Sequence, residues 1–76
     1  MNAPFSHVAH GTPDALREFI YDNLRYAILS AQVGMTFAEI SDDRGLEYAV
    51  LKAVAHMRQV IGTLADLKAA KTEERA

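Results

Sequence analysis

The chain is 76 residues long, 50% of its residues are hydrophobic, and its formal net charge is −2 at pH 7. This length suits one domain, close to the lower limit at which a single hydrophobic core stabilises a fold. The small net charge gives no general attraction to nucleic acid or to an anionic membrane. Because the sequence contains no cysteine, disulfide bonds, thiolate nucleophiles and cysteine-based zinc sites are excluded.

The first segment, residues 1–11, shows no sustained hydrophobic period and contains Pro4 and Gly11, which predicts a flexible N-terminal arm. The chain shows neither a signal-peptide pattern nor an apolar run of the roughly 20 residues that span a bilayer. We therefore expect a cytoplasmic protein with no membrane partner. His7 and His10 have H-x-x-H spacing, but zinc sites use three or four protein ligands, so we expect no metal site and no cofactor.

The first helix is predicted to begin at Thr12, which suits an N-cap, followed by Pro13, which suits the first helical position. It is expected to end near Val33, because Gly34 occupies a typical C-terminal cap position. One face of this helix carries apolar residues at helical spacing. These residues are Leu16, Phe19, Ile20, Leu24, Ala27, Ile28 and Ala31.

A short helical connector is predicted next. Thr36 and Glu39 have the spacing of a capping box, which favours a new helix from Phe37. We expect a break or kink within residues 42–45, and the alternative is that the short helix runs on into the next one.

The last helix is predicted from Leu46 to Ala70, because apolar residues recur in alternating steps of four and three without proline. The helical domain then spans residues 12–71, and residues 72–76 form a frayed tail. The predicted core stripe is Leu46, Val50, Ala53, Met57, Val60, Leu64 and Leu67. A polar strip expected to face solvent is Lys52, His56, Gln59, Thr63 and Asp66.

This long helix carries more apolar surface than a two-helix hairpin covers. Burial of apolar surface is worth about 25 cal/mol per Å². Burying several solvent-exposed aliphatic side chains would therefore contribute a free energy comparable to the unfolding free energy of a small domain. Gly62 indicates close approach of another helix, and a tolerated exposed glycine is the alternative. We predict an all-α fold, a helical hairpin with a short helical connector, that dimerises into a four-helix bundle. The predicted dimer interface is Leu46, Val50, Leu51, Val54, Met57, Val60, Ile61, Gly62, Leu64 and Leu67.

Catalytic patterns are missing from the sequence. No glutamate is followed three residues later by histidine, as the ligand set of a di-iron bundle requires. Ser6, Ser30 and Ser41 lack the context of a nucleophile elbow. We expect a protein that is not an enzyme and has no catalytic residues.

Residues 36–54, T-F-A-E-I-S-D-D-R-G-L-E-Y-A-V-L-K-A-V, resemble a helix-turn-helix, with Gly45 at the turn. The resemblance implies a dimeric DNA-binding transcriptional regulator. Two positions depart from the pattern. Arg44 replaces the usual apolar residue before the glycine, and the recognition helix offers only Lys52 to phosphates. A purely structural corner between helices is the alternative.

Arg17, Tyr21, Arg25 and Leu29 lie four residues apart along one edge of the first helix. Tyrosine and arginine are enriched at binding hot spots, although an amphipathic boundary with arginine stems over the core explains the same residues. We predict a small accessory regulator, adaptor or inhibitor of bacterial or phage type. It is expected to form a homodimer and to bind a protein partner, and DNA binding through residues 36–54 is the alternative.

Overall fold

The computed structural model describes residues 11–75, which form two α-helices, α1 (Pro13–Glu39) and α2 (Asp43–Arg75). The helices fold back on each other as a hairpin, and the described residues contain no strand, which confirms the all-α prediction. The predicted arm lies outside the described residues except for Gly11. The C-terminal helix continues to Arg75, past the predicted boundary at residue 71.

The start of α1 follows the predicted signal. The Thr12 side-chain oxygen accepts a hydrogen bond from the Ala15 N–H at 3.2 Å, and Pro13 is the first helical residue. Asp14 lies in the first turn, where its charge opposes the positive end of the helix dipole, and it pairs with Arg17 at 2.8 Å. These are local interactions, which is why the sequence predicted this boundary.

The predicted end of α1 at Gly34 is wrong, because the helix continues to Glu39. Gly34 is buried, and a Cβ built on it would lie 3.4 Å from the Cβ of Ala49 in α2. The glycine therefore permits close approach of the two helices. This packing offsets the roughly 1 kcal/mol that a glycine costs inside a helix.

The predicted capping box and separate connector helix are also wrong. Thr36 lies inside α1, and its hydroxyl donates to the Gln32 carbonyl at 3.3 Å instead of accepting from a backbone N–H of a new helix. Residues 36–39 form the last turn of α1. The break between the helices comes at residues 40–42, before the predicted break within 42–45.

A Schellman motif ends α1. The Ser41 N–H donates to the Ala38 carbonyl at 3.2 Å, and the Asp42 N–H donates to the Phe37 carbonyl at 2.9 Å. Ser41 occupies the left-handed region with φ of 59°, at the position where this motif usually has glycine. The turn is thus closed by backbone hydrogen bonds at some conformational cost to Ser41.

Asp42 then caps the N-terminus of α2. Its carboxylate accepts from the Gly45 N–H at 2.9 Å, and its carbonyl accepts from the Leu46 N–H at 2.9 Å. This is the hydrogen-bond pattern of an N-cap. One aspartate therefore completes the end of α1 and the start of α2, which makes the connection short enough for a tight hairpin.

Replacing Ser41 by glycine is expected to raise the free energy of unfolding by about 1 kcal/mol, because glycine adopts positive φ without the Cβ clash. Urea titration followed by circular dichroism measures the change. Ser41→Val is the opposing control, since a β-branched residue tolerates this region poorly. A glycine variant less stable than the parent would contradict this account of the turn.

One stripe of residues on each helix holds the hairpin together, and we call these two stripes the seam. Their members recur in alternating steps of three and four residues. Its members are buried or half-buried: Leu16, Ile20, Asn23, Ala27, Ser30, Gly34 and Phe37 of α1, and Leu46, Ala49, Ala53, His56, Val60, Thr63, Leu67 and Ala70 of α2. Small side chains dominate its middle. This spacing is that of a coiled-coil contact between two helices.

The seam corrects the predicted faces of both helices. His56 and Thr63, predicted to face solvent, lie in the seam, whereas Val50, Met57 and Leu64, predicted to form the core stripe, are exposed. In α1, the predicted apolar face is split in the same way. Its members Phe19, Leu24, Ile28 and Ala31 are exposed.

The molecule is a single layer of two helices. Its extents are 53 × 25 × 13 Å, and 13 Å is close to the diameter of one helix with its side chains. Among the described residues no large side chain is fully buried. No other element of residues 11–75 covers either broad face of the hairpin.

Candidate interaction surfaces

The two open faces are distinguished by a recess between the helices. Leu29, Ser30 and Val33 of α1 line it together with Tyr48, Ala49 and Lys52 of α2, so these flanks share one side, here called the groove face. Because the two helices form a hairpin, the opposite flanks of α1 and α2 share the other side. We call this side the apolar face.

The apolar face carries two stripes with steps of four and three residues, and every member is exposed. The stripes are Leu24, Ile28, Ala31 and Met35 of α1, and Val50, Val54, Met57, Ile61 and Leu64 of α2. Met35 and Ile61 are about two-thirds exposed, at 66% and 65%. None of these residues is charged. A contiguous apolar surface spread over two helices is typical of an interaction site.

Half of the predicted dimer interface lies on this face. Val50, Val54, Met57, Ile61 and Leu64 are exposed there, whereas Leu46, Val60 and Leu67 lie in the seam and are occupied by contact with α1. Leu51 and Gly62 lie on other parts of the α2 surface. Among residues 11–75, no atom outside the local helix comes within 4 Å of a Cβ built on Gly62, so packing within this part of the chain does not explain that glycine.

The α1 half of the apolar face was not identified from the sequence. Leu24, Ile28 and Ala31 were predicted only as part of one apolar face of the first helix, and Met35 was not assigned to a binding surface. The signal was present as a second stripe in α1 parallel to the stripe that begins at Leu16. Both stripes have the same period, so spacing alone does not distinguish the buried one from the exposed one.

The groove face has a different chemistry. Tyr26 and Tyr48 are exposed on it, the Tyr26 ring lies 5.3 Å from the His56 ring, and Lys52 Nζ lies 5.8 Å from the centroid of the Tyr48 ring. The recess between the helices has a volume of about 210 Å³. This side thus combines aromatic surface with a single nearby cation.

A polar pair lies inside the seam. Asn23, only 7% exposed, donates from its amide nitrogen to the Phe19 carbonyl at 3.1 Å, and its amide oxygen lies 3.1 Å from His56 Nδ1. Since the Asn23 oxygen is an acceptor, His56 Nδ1 is the donor. No carboxylate takes part in these bonds. The pair satisfies buried polar groups and favours one register of the hairpin, as a buried asparagine does in coiled coils.

The predicted partner residues Arg17, Tyr21, Arg25 and Leu29 are all exposed, but they do not share one broad face. A step of four residues turns about 40° beyond a full helical turn, so the line winds around α1. Arg17 is paired with Asp14, and of the four only Leu29 lines the recess.

The helix-turn-helix segment, residues 36–54, lies at the tip of the hairpin. Its first four residues end α1, and its residues from Asp43 onward belong to the 33-residue α2. The segment is therefore part of two long hairpin helices. Helix-turn-helix motifs cross their helices at about 90–120° instead.

Within residues 11–75, no group of three or more histidine, aspartate or glutamate side chains is placed to hold a metal ion. His7 and His10 lie outside the described residues. In the same part of the chain, neither helix is both long and apolar enough to cross a bilayer.

Comparison with known proteins identifies no relative. No protein-family model, curated protein or solved structure matches the chain significantly. The geometry and chemistry of the two faces are thus the guide to function.

Proposed function

We propose that this chain is a small non-enzymatic interaction protein that acts as a homodimer and regulates, links or inhibits another protein. The observation that carries the proposal is the apolar face formed by both helices, whose nine exposed stripe residues are all uncharged. Fully burying one valine, leucine, isoleucine or methionine side chain is worth about 1.5–3 kcal/mol. Eight such side chains exposed by 38–66% are a large driving force for association.

A second copy of the chain is the partner that best fits this face. Two single-layer hairpins packed face to face form a four-helix bundle, the common way for helical hairpins to acquire a core. Since none of the nine stripe residues is charged, their pairing with the same stripes of a second copy meets no electrostatic repulsion. The hairpin measures 53 by 25 Å, so its whole broad side, which includes the residues around the two stripes, has room for the roughly 800 Å² per partner of a standard interface.

The dimer has a consequence for binding. Because the groove face lies opposite the apolar face, it stays exposed in this dimer, once on each side of the bundle. The assembly thus presents two equivalent sites for another protein. Linked sites raise overall avidity when a partner engages both.

Multi-angle light scattering of the full chain at micromolar concentration tests the proposal. The expected mass is twice the 8.4 kDa of one chain, and it should persist on dilution through the low micromolar range. A mass of one chain at these concentrations would reject the homodimer.

A further inference from the structure

The recess on the groove face exists because the seam has small residues beneath it. Ser30 and Ala49 form its floor, while Leu29 and Val33 flank it on α1. On the α2 side, the larger side chain of Tyr48 lines the recess. The recess is thus an opening between two helices with apolar walls.

The recess fits side chains of a protein partner better than it fits a small molecule. Small-molecule sites usually measure about 300–1,000 Å³ and enclose most of the ligand. This recess is smaller, at about 210 Å³, and lies on an open face of a single-layer hairpin. A helix that lies along the groove face inserts an apolar side chain into such a recess, and nearby tyrosines add contact area.

Lys52 is the one charged residue among those that line the recess. It lies at the edge of the recess, and its Nζ lies 5.8 Å from the Tyr48 ring centroid. The one ion pair among the described residues joins Arg17 and Asp14, so Lys52 has no carboxylate partner there. The residues three and four positions away from Lys52 on α2 include no acid. An anionic group on the partner would complete this site.

We propose that the recess docks an amphipathic helix of a protein partner, with an apolar anchor between Val33 and Tyr48 and a glutamate or aspartate paired with Lys52. This inference names the partner class for the binding role proposed above and rests on that role. It uses the face opposite the dimer contact, so the two are separately testable.

A displayed library of helical peptides tests the proposal. Each peptide carries leucines at positions i, i+4 and i+7, and the flanking positions vary among glutamate, glutamine and lysine. Selection on the full chain should enrich glutamate beside the central leucine. The enriched peptides should bind at least about tenfold more weakly to Lys52→Glu and to Leu29→Glu, because like charges oppose each other and the apolar wall is lost.

The matched control for Leu29→Glu is Gln32→Glu, which adds the same single negative charge three residues from Leu29 and away from the recess. It should leave peptide affinity unchanged. Changing the selected glutamate to lysine should restore binding to Lys52→Glu. Circular dichroism of each variant confirms that the helices are intact.

Three results would overturn the docking site: no enriched peptides, enrichment without glutamate, or equal affinity for the parent and Lys52→Glu. Light scattering of the same samples separates this failure from that of the dimer. A monomeric parent that selects glutamate peptides rejects only the homodimer. A dimeric parent that selects none rejects only the docking site.

Discussion

Replacing Val54 and Ile61 together by glutamate is expected to convert the proposed dimer into monomers, with a dimer dissociation constant raised at least about 1,000-fold. Both side chains are exposed on the apolar face and would be buried by a second copy. Each replacement removes apolar burial worth about 1.5–3 kcal/mol and places an unpaired carboxylate in the interface. Sedimentation equilibrium across a dilution series measures the constant.

The matched control replaces Leu51 and Gln59 by glutamate. Both residues are exposed on α2 but lie off the apolar face, and the change in charge is the same. This variant should keep the mass of a dimer, although Leu51 was placed in the interface on sequence grounds. Equal dissociation of both variants would show that the dimer does not form through the apolar face.

Gly45→Ala is expected to lower the free energy of unfolding by about 1–3 kcal/mol, as overpacking does in other proteins. A Cβ built on Gly45 would lie 2.5–2.7 Å from three ring atoms of Phe37. Phe37 is half-buried at the end of the seam, and its carbonyl closes the turn by accepting from the Asp42 N–H. The ring therefore has to move in a constrained region. Urea titration measures the loss.

Gly62→Ala is the control and should change stability in the opposite direction. Its Cβ would meet nothing within 4 Å, so the variant should gain most of the roughly 1 kcal/mol by which alanine exceeds glycine in a helix. In a Phe37→Ala background the cost of Gly45→Ala should disappear. A Gly45→Ala protein at least as stable as the parent would contradict the contact.

Several stripes of each helix share one period, so periodicity does not distinguish the buried stripe from the exposed ones. In α2, Val50, Met57 and Leu64 repeat with the spacing of a seam and are more hydrophobic than His56 and Thr63. Hydrophobicity therefore favoured the wrong stripe. The small residues that allow close helix approach are less conspicuous in a sequence than the large residues they leave exposed.

The sequence by itself determined the all-α class, the start of α1 at Thr12 and the long C-terminal helix, because N-caps and helical periodicity act over a few residues. Only the tertiary structure decided which face is buried and that α1 passes through Gly34 to Glu39. Both features depend on the contact between Gly34 and Ala49 and on the hydrogen bond between Asn23 and His56, which are 33 residues apart. Local patterns do not contain such pairings, which form only when the two helices meet.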